Sequence, residues 1–276
     1  MYSDPITDVS EAAASQMDLI RESLPAYLAH SALAGCYLGF GVAIAFQLAG
    51  DVMGTSLAPL QSLLMGGSFG IALSLVIMAG CELYTGNAMI AAVGQLTGKT
   101  GTGSMLKIWV WSWVGNLIGS VVFAALLAFS GSMPTEPFAA IAAAKMTMPA
   151  HELFLRGMLC NWLIVLAVWC NFKLDNSVAK LVMIFWCLLV FIGAGFEHSI
   201  ANMVILSTAI MMPGVGTAVQ GISLSGFAYN ISIVTAGNTA SGVLALAVIY
   251  YWVSRRYGVE YSWGDDAMDM APADDD

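Results

Sequence analysis

The sequence predicts an all-α membrane protein: six transmembrane helices forming an inverted repeat of three, with the second and fifth helices broken. Three observations predict it. First, 59% of the 276 residues are hydrophobic and only 10% are charged, with a mean hydropathy of +0.79; a soluble domain carries roughly 25% charged residues. Second, the apolar residues fall into six stretches, each long enough to meet the ~20 residues that a crossing helix needs. Third, two of these stretches hold a polar cluster near the middle, "GCELYTGNAM" (80–89) and "GFEHSIANM" (195–203). An ionisable side chain in hydrocarbon is costly unless it faces a cavity or a partner, so it marks a candidate functional site.

Residues 1–26 come first and carry no apolar core of a signal peptide. Ser10 is expected to cap a short amphipathic helix with Ala13, Met17, Ile20 and Leu24 on one face, ended by Pro25. This reads as an interfacial anchor. The crossing region, 27–254, divides into spans at about 27–49, 62–93, 106–130, 153–172, 181–212 and 229–254. With the N-terminus inside, Arg21, Lys99, Lys107, Lys173, Lys180, Arg255 and Arg256 fall on the cytoplasmic side. Lys145 and Arg156 alone remain outside. The positive-inside rule therefore puts both termini in the cytoplasm, and the expected location is the cell (inner) membrane. Residues 255–276 form an acidic tail that holds seven of the 18 acids, so the net charge of −9 describes the tail more than the channel region.

The second and fifth spans are too long for one crossing. Non-helical backbone at membrane depth is tolerated only where it lines a cavity or is buried in protein, so both read as broken helices around a central site. The two breaks share Gly-x-Glu, then Asn87 and Asn202, then Met89 and Met203. The third and sixth spans share "GNLIGSVV" from Gly115 and "GNTASGVL" from Gly237. A unit of three spans repeated in one chain must enter the membrane from opposite sides, which is a transporter or channel architecture.

Other classes fit poorly. A zinc protease needs HExxH; here Glu197 precedes a lone His198, while His30 and His151 stand apart. Cys36, Cys81, Cys160, Cys170 and Cys187 lie in apolar stretches without ligand spacing and read as small buried hydrophobes. No catalytic residue, metal site or cofactor is expected, and no nucleic-acid partner. Aquaporins would show paired Asn-Pro-Ala, and ammonium channels pair two midplane histidines.

"CELYTGN", "LCNWLIVLAVW" (159–169), "FEHSIANM" and "GNTASG" (237–242) resemble the formate/nitrite transporter family, and the likeness runs from about residue 30 to 254. The resemblance implies an aquaporin-like protomer, a homopentamer in membrane lipid, and one pore per subunit for a small monovalent weak-acid anion. It maps the central histidine onto His198, the loop threonine onto Thr85, and the vestibule lysine and a later asparagine onto Lys145 and Asn161. The asparagine that reaches the histidine falls on Asn238. The constriction maps onto Phe69, Leu73 and Phe191, with Tyr84 and Ile164. Glu82 followed by Leu-Tyr-Thr-Gly leans to the nitrite branch; formate and hydrosulfide are the alternatives within the family. Physical chemistry asks for the same residue types. A dry slit of Phe69, Leu73 and Phe191 penalises a bare anion. Lys145 gathers anions at the mouth, and Thr85, Asn161 and His198 supply hydrogen-bond donors inside. A proton handed over by His198 or by a vestibule group would let the neutral acid cross and make flux depend on pH. Glu82 and Glu197 read as structural, bonding backbone freed at the breaks.

Overall fold

The computed structural model describes residues 3–257, so the acidic tail from residue 258 onward lies outside the described residues. Every regular element among them is helical. Helix α1 (Ser3–Glu22) is amphipathic, burying Ile6, Val9, Ala13, Met17 and Ile20 at the spacing of one helical face. It starts before Ser10, whose hydroxyl bonds the Thr7 carbonyl inside the helix. Pro25 does not end it. Ser23 caps the next helix, α2 (Leu24–Val52), accepting from the Ala26 N–H at 3.3 Å, and Pro25 sits in its first turn, where a missing N–H is harmless.

Helix α3 (Gln61–Leu75) runs into a π-turn over Val76–Gly80, and the chain then breaks before α4 (Tyr84–Leu96). Helix α5 (Thr102–Phe129) is unbroken, and α6 (Thr135–Thr147) is a short helix in a segment that the sequence marks only as a connection. Helix α7 (Ala150–Lys173) is again unbroken. Helices α8 (Ser177–Gly193) and α9 (Ser199–Met211) flank the second break. Helix α10 (Leu224–Ser241) continues through a π-segment (Gly242–Val248) into α11 (Ile249–Tyr257). Among the described residues, five helical segments are long and apolar enough to cross a membrane, Leu24–Val52, Ala58–Gly80, Thr102–Phe129, Ala150–Lys173 and Leu224–Arg256; α8 and α9 are shorter apolar helices.

Close packing of α2 on α5 and of α7 on α10 holds the two breaks in place. It rests on small residues, as helix contacts in lipid do. A Cβ on Gly119 would sit 1.8 Å from the Ala32 carbonyl oxygen, and one on Gly237 would sit 2.3 Å from that of Phe154.

Candidate functional site

Each break begins at a glycine with positive φ, Gly80 (+78°) and Gly195 (+70°), a conformation that Cβ-bearing residues rarely adopt. The freed backbone groups are then taken by one asparagine at each break. Asn116 accepts from the Tyr84 N–H at 2.8 Å and donates to the carbonyls of Ser31 and Glu82, both at 2.8 Å. Asn238 accepts from the Ser199 N–H at 2.9 Å and donates to Gly157 and Glu197 carbonyls at 2.8 and 3.0 Å. An amide carries both donors and an acceptor and can satisfy both kinds of backbone group. Asn238 thus meets the backbone on either side of His198 rather than its ring.

The carboxylates do something other than bond the broken backbone. Glu197 accepts Lys145 Nζ on both oxygens, at 2.7 and 2.8 Å, and Asn202 Nδ2 at 2.6 Å. Glu82 Oε2 accepts Gln16 Nε2 at 2.6 Å and Asn87 Nδ2 at 2.9 Å. An ionised carboxylate has only acceptors, so it draws side-chain donors and leaves the carbonyls to the asparagines. Lys145 stands on the last turn of α6, not in a mobile loop, and Asn230 Nδ2 bonds its carbonyl at 2.9 Å.

His198 caps α9: its Nδ1 accepts from the Ala201 N–H at 3.1 Å. The proton of the neutral ring therefore lies on Nε2, which is 3.1 Å from Thr85 Oγ1 in the first turn of α4. Through this pair the N-termini of the two short helices meet. Phe191 stacks along the imidazole, with ring centres 5.9 Å apart, and packs edge-on against Phe69 at 5.8 Å.

Three spaces adjoin one another at this centre through shared walls. A cavity of about 240 Å³ on the Lys145 side is walled by Phe69, Lys145, Arg156, Phe191, Glu197 and His198. A void of about 10 Å³ follows, bounded by Leu38, Leu73, Leu83, Ile164 and Leu188 and closed by Phe69, Phe191 and His198; it has room for about one water. Beyond it, a cavity of about 400 Å³ on the α1 side is reached past Leu73 and Leu83. Phe69 and Phe191 thus part the first cavity from the void, and the two leucines part the void from the second.

Of the residues singled out in the sequence, Phe69, Leu73, Phe191, Ile164, Lys145 and His198 line these spaces. Tyr84 borders none of the three, its hydroxyl lying 2.6 Å from Thr239 Oγ1. Asn161 gives both amide hydrogens to backbone, the Thr85 and Asn238 carbonyls, and its Oδ1 is buried without a partner. Leu38, Leu83, Leu188, Arg156, Gln16 and His30 were not foreseen. Two of them had a signal: superposing the two polar clusters on their Glu and Asn sets Leu83 opposite His198 and Leu188 opposite Leu73.

Comparison with known proteins follows the same lines. The chain is 38% identical over 260 residues to the nitrite transporter NirC of Escherichia coli (strain K12), covering 93% of this chain and 94% of that protein. A solved structure described as an FNT family ion channel superposes with a TM-score of 0.84 at 37% identity, over 91% of this chain and 98% of that one. The fold is also that of a pentameric formate channel with formate bound, with a TM-score of 0.72 at 24% identity over 89% and 99% of the two chains. The sequence profile of the formate/nitrite transporter family matches residues 5–252, and with relatives this similar over this much of its length, the chain belongs to that family.

Proposed function

We propose that the protein conducts small monovalent weak-acid anions across the cell (inner) membrane, nitrite foremost, through a pore that runs from the Lys145-side cavity past His198 to the α1-side cavity. The observation that carries this reading is the succession of those spaces, each sharing wall residues with the next, around two matched helix breaks. The chain crosses six times as an inverted repeat of three, with α3–α4 and α8–α9 as its second and fifth crossings and both termini cytoplasmic. Five identical copies assemble, as in the pentameric channel whose fold it shares, and each copy holds its own pore. The 38% identity to a nitrite transporter supports nitrite over formate and hydrosulfide.

The geometry fits this chemistry. Hydrated anions meet Lys145 and Arg156 in the outer cavity, where positive charge raises their local concentration. The Phe69–Phe191 pair and the Leu73–Leu83 pair exclude water, and a bare anion there loses its hydration without replacement. Between them, the Nε2–H of His198 and the Thr85 hydroxyl can turn to a cargo oxygen, and the N-termini of α4 and α9 add partial positive charge.

The test is flux into proteoliposomes of nitrite, formate, hydrosulfide and chloride over a pH series. Nitrite and formate are expected to pass and chloride to be excluded, because chloride has no accessible neutral acid. Chloride flux equal to nitrite flux, or no flux of any of the four, would overturn the reading.

A further inference from the structure

The two cavities that flank the His198 void are built alike and charged unlike. In each, a glutamate of the break is held by an asparagine five residues on, Glu82 by Asn87 and Glu197 by Asn202. In each, the residue before a braced carbonyl, His30 or Arg156, faces the space. On the outer side two cations, Lys145 and Arg156, accompany Glu197. On the α1 side, among the described residues, the walls carry no lysine or arginine; their titratable groups are His30 from α2 with Cys81 and Glu82 from the break. Helix α1 contributes Ala12, Ser15, Gln16 and Leu19, α4 contributes Asn87, whose Nδ2 also bonds the Tyr27 hydroxyl at 3.3 Å, and α7 contributes Asn171.

Several of the polar atoms left over there can accept a hydrogen bond. Gln16 is nine-tenths buried, spends its Nε2 on Glu82 and Asn87, and leaves Oε1 without a partner. His30 Nδ1 is likewise unpartnered. Both amide donors to Glu82 fall on Oε2, so Oε1 is open to the cavity's contents. An anion finds no cation in this space. A molecule with an O–H to donate finds several partners.

We propose that the α1-side cavity is the proton-exchange site of the pore, where the un-ionised acid binds and Glu82 takes its proton. This rests on the channel reading above and names the group that supplies its proton chemistry. The step is HX + Glu82 carboxylate → X⁻ + Glu82 carboxylic acid: the acid's O–H bond breaks, its electron pair stays on X, and a new O–H bond forms on Glu82. Gln16 Oε1 orients the acid. His30 receives the proton from Glu82 and releases it to cytoplasmic water, and X⁻ leaves a space that offers it no cation. For export the order reverses, with Glu82 supplying the proton before the cargo enters the Leu73–Leu83 constriction. Lys145 keeps Glu197 from the same role, because both Glu197 oxygens are already taken by its ammonium.

Nitrite flux in inside-out and right-side-out vesicles, with pH varied on the α1 side alone, tests this. The wild type is expected to change about tenfold per pH unit where proton uptake limits the step. Glu82→Gln, which keeps amide partners but binds no proton, should flatten this to less than about twofold, while Glu197→Gln should retain the slope. Infrared difference spectra on nitrite addition give a second readout that needs no variant. A protonated-carboxyl C=O band should appear in the wild type and in Glu197→Gln and be absent in Glu82→Gln. His30→Ala should keep the band and slow proton release. A wild-type slope in Glu82→Gln, no carboxyl band in the wild type, or a band that persists in Glu82→Gln overturns the proposal. A wild-type protein that passes no anion overturns the channel reading, and this proposal with it.

Discussion

At the scale of single residues, the Lys145–Glu197 pair changes what a lysine variant should do. The Glu197 side chain is 3% exposed and that of Lys145 15%, so Lys145→Ala leaves a buried carboxylate without its counter-charge. Such a loss costs about 3–5 kcal/mol, and a fall in the thermal unfolding midpoint of the purified protein should show it. Glu197→Gln added to Lys145→Ala should restore most of the midpoint but not the low flux, since the outer cation is still missing. A midpoint that Lys145→Ala leaves unmoved would mean that the pair does not hold this part of the fold. His198 is bound on both ring nitrogens, and its variants separate two roles. His198→Asn keeps an oxygen to cap α9 and an amide to donate, and a capping exchange of this kind changes stability by about 1 kcal/mol or less. It should fold, conduct within about tenfold of wild type, which is ~1.4 kcal/mol in barrier, and keep its pH response. His198→Phe loses the cap and fills the void, so flux should fall further than this. Loss of the pH response in His198→Asn would instead put proton exchange on the imidazole.

At the scale of elements, the asparagines set the breaks. Each answers one N–H and one carbonyl of the break, Tyr84 and Glu82 or Ser199 and Glu197, and ties them to a carbonyl of an unbroken helix, Ser31 of α2 or Gly157 of α7; an unsatisfied buried polar group costs about 1–3 kcal/mol. Asn116→Asp is the informative change, because the carboxylate can still accept from Tyr84 N–H but cannot donate to Ser31 and Glu82. It should be at least as damaging as Asn116→Ala, read as a loss of folded protein in gel filtration and a lower unfolding midpoint. An Asp variant as stable as wild type would show that the break is held by other contacts. The packing of α2 on α5 sets the distance across which Asn116 must reach, so the small residues Gly35 and Gly119 position the break as surely as the asparagine does.

At the scale of the whole molecule, many large apolar side chains face outward, among them Leu126 (64% exposed), Phe129 (69%) and Trp186 (55%). Lipid and neighbouring copies are the surroundings that suit them. Native mass spectrometry from mild detergent should give a pentamer, and a monomer under those conditions would remove the assembly from the proposal. A reporter fused at the C-terminus should read as cytoplasmic, as the basic residues predict; a periplasmic signal would invert the orientation and exchange the two vestibules.

The sequence by itself determined the elements that depend on local composition. Apolar length marked the crossing helices, because a span must fill ~30 Å of hydrocarbon. The polar clusters marked both breaks, because charge at that depth needs a reason, and His198 stood out within them; Phe69, Leu73 and Phe191 were singled out only through the family resemblance. Boundaries set by capping were less so: Ser10 has the chemistry of a cap, yet it lies inside α1, whose buried face extends back to Ile6. Only the tertiary structure decided who partners whom. That Lys145 meets Glu197, Gln16 meets Glu82, and Asn116 and Asn238 rather than the carboxylates brace the breaks depends on contacts between residues 32 to 85 positions apart. No local pattern encodes such contacts. They follow from how closely the helices approach, and that distance is fixed by packing.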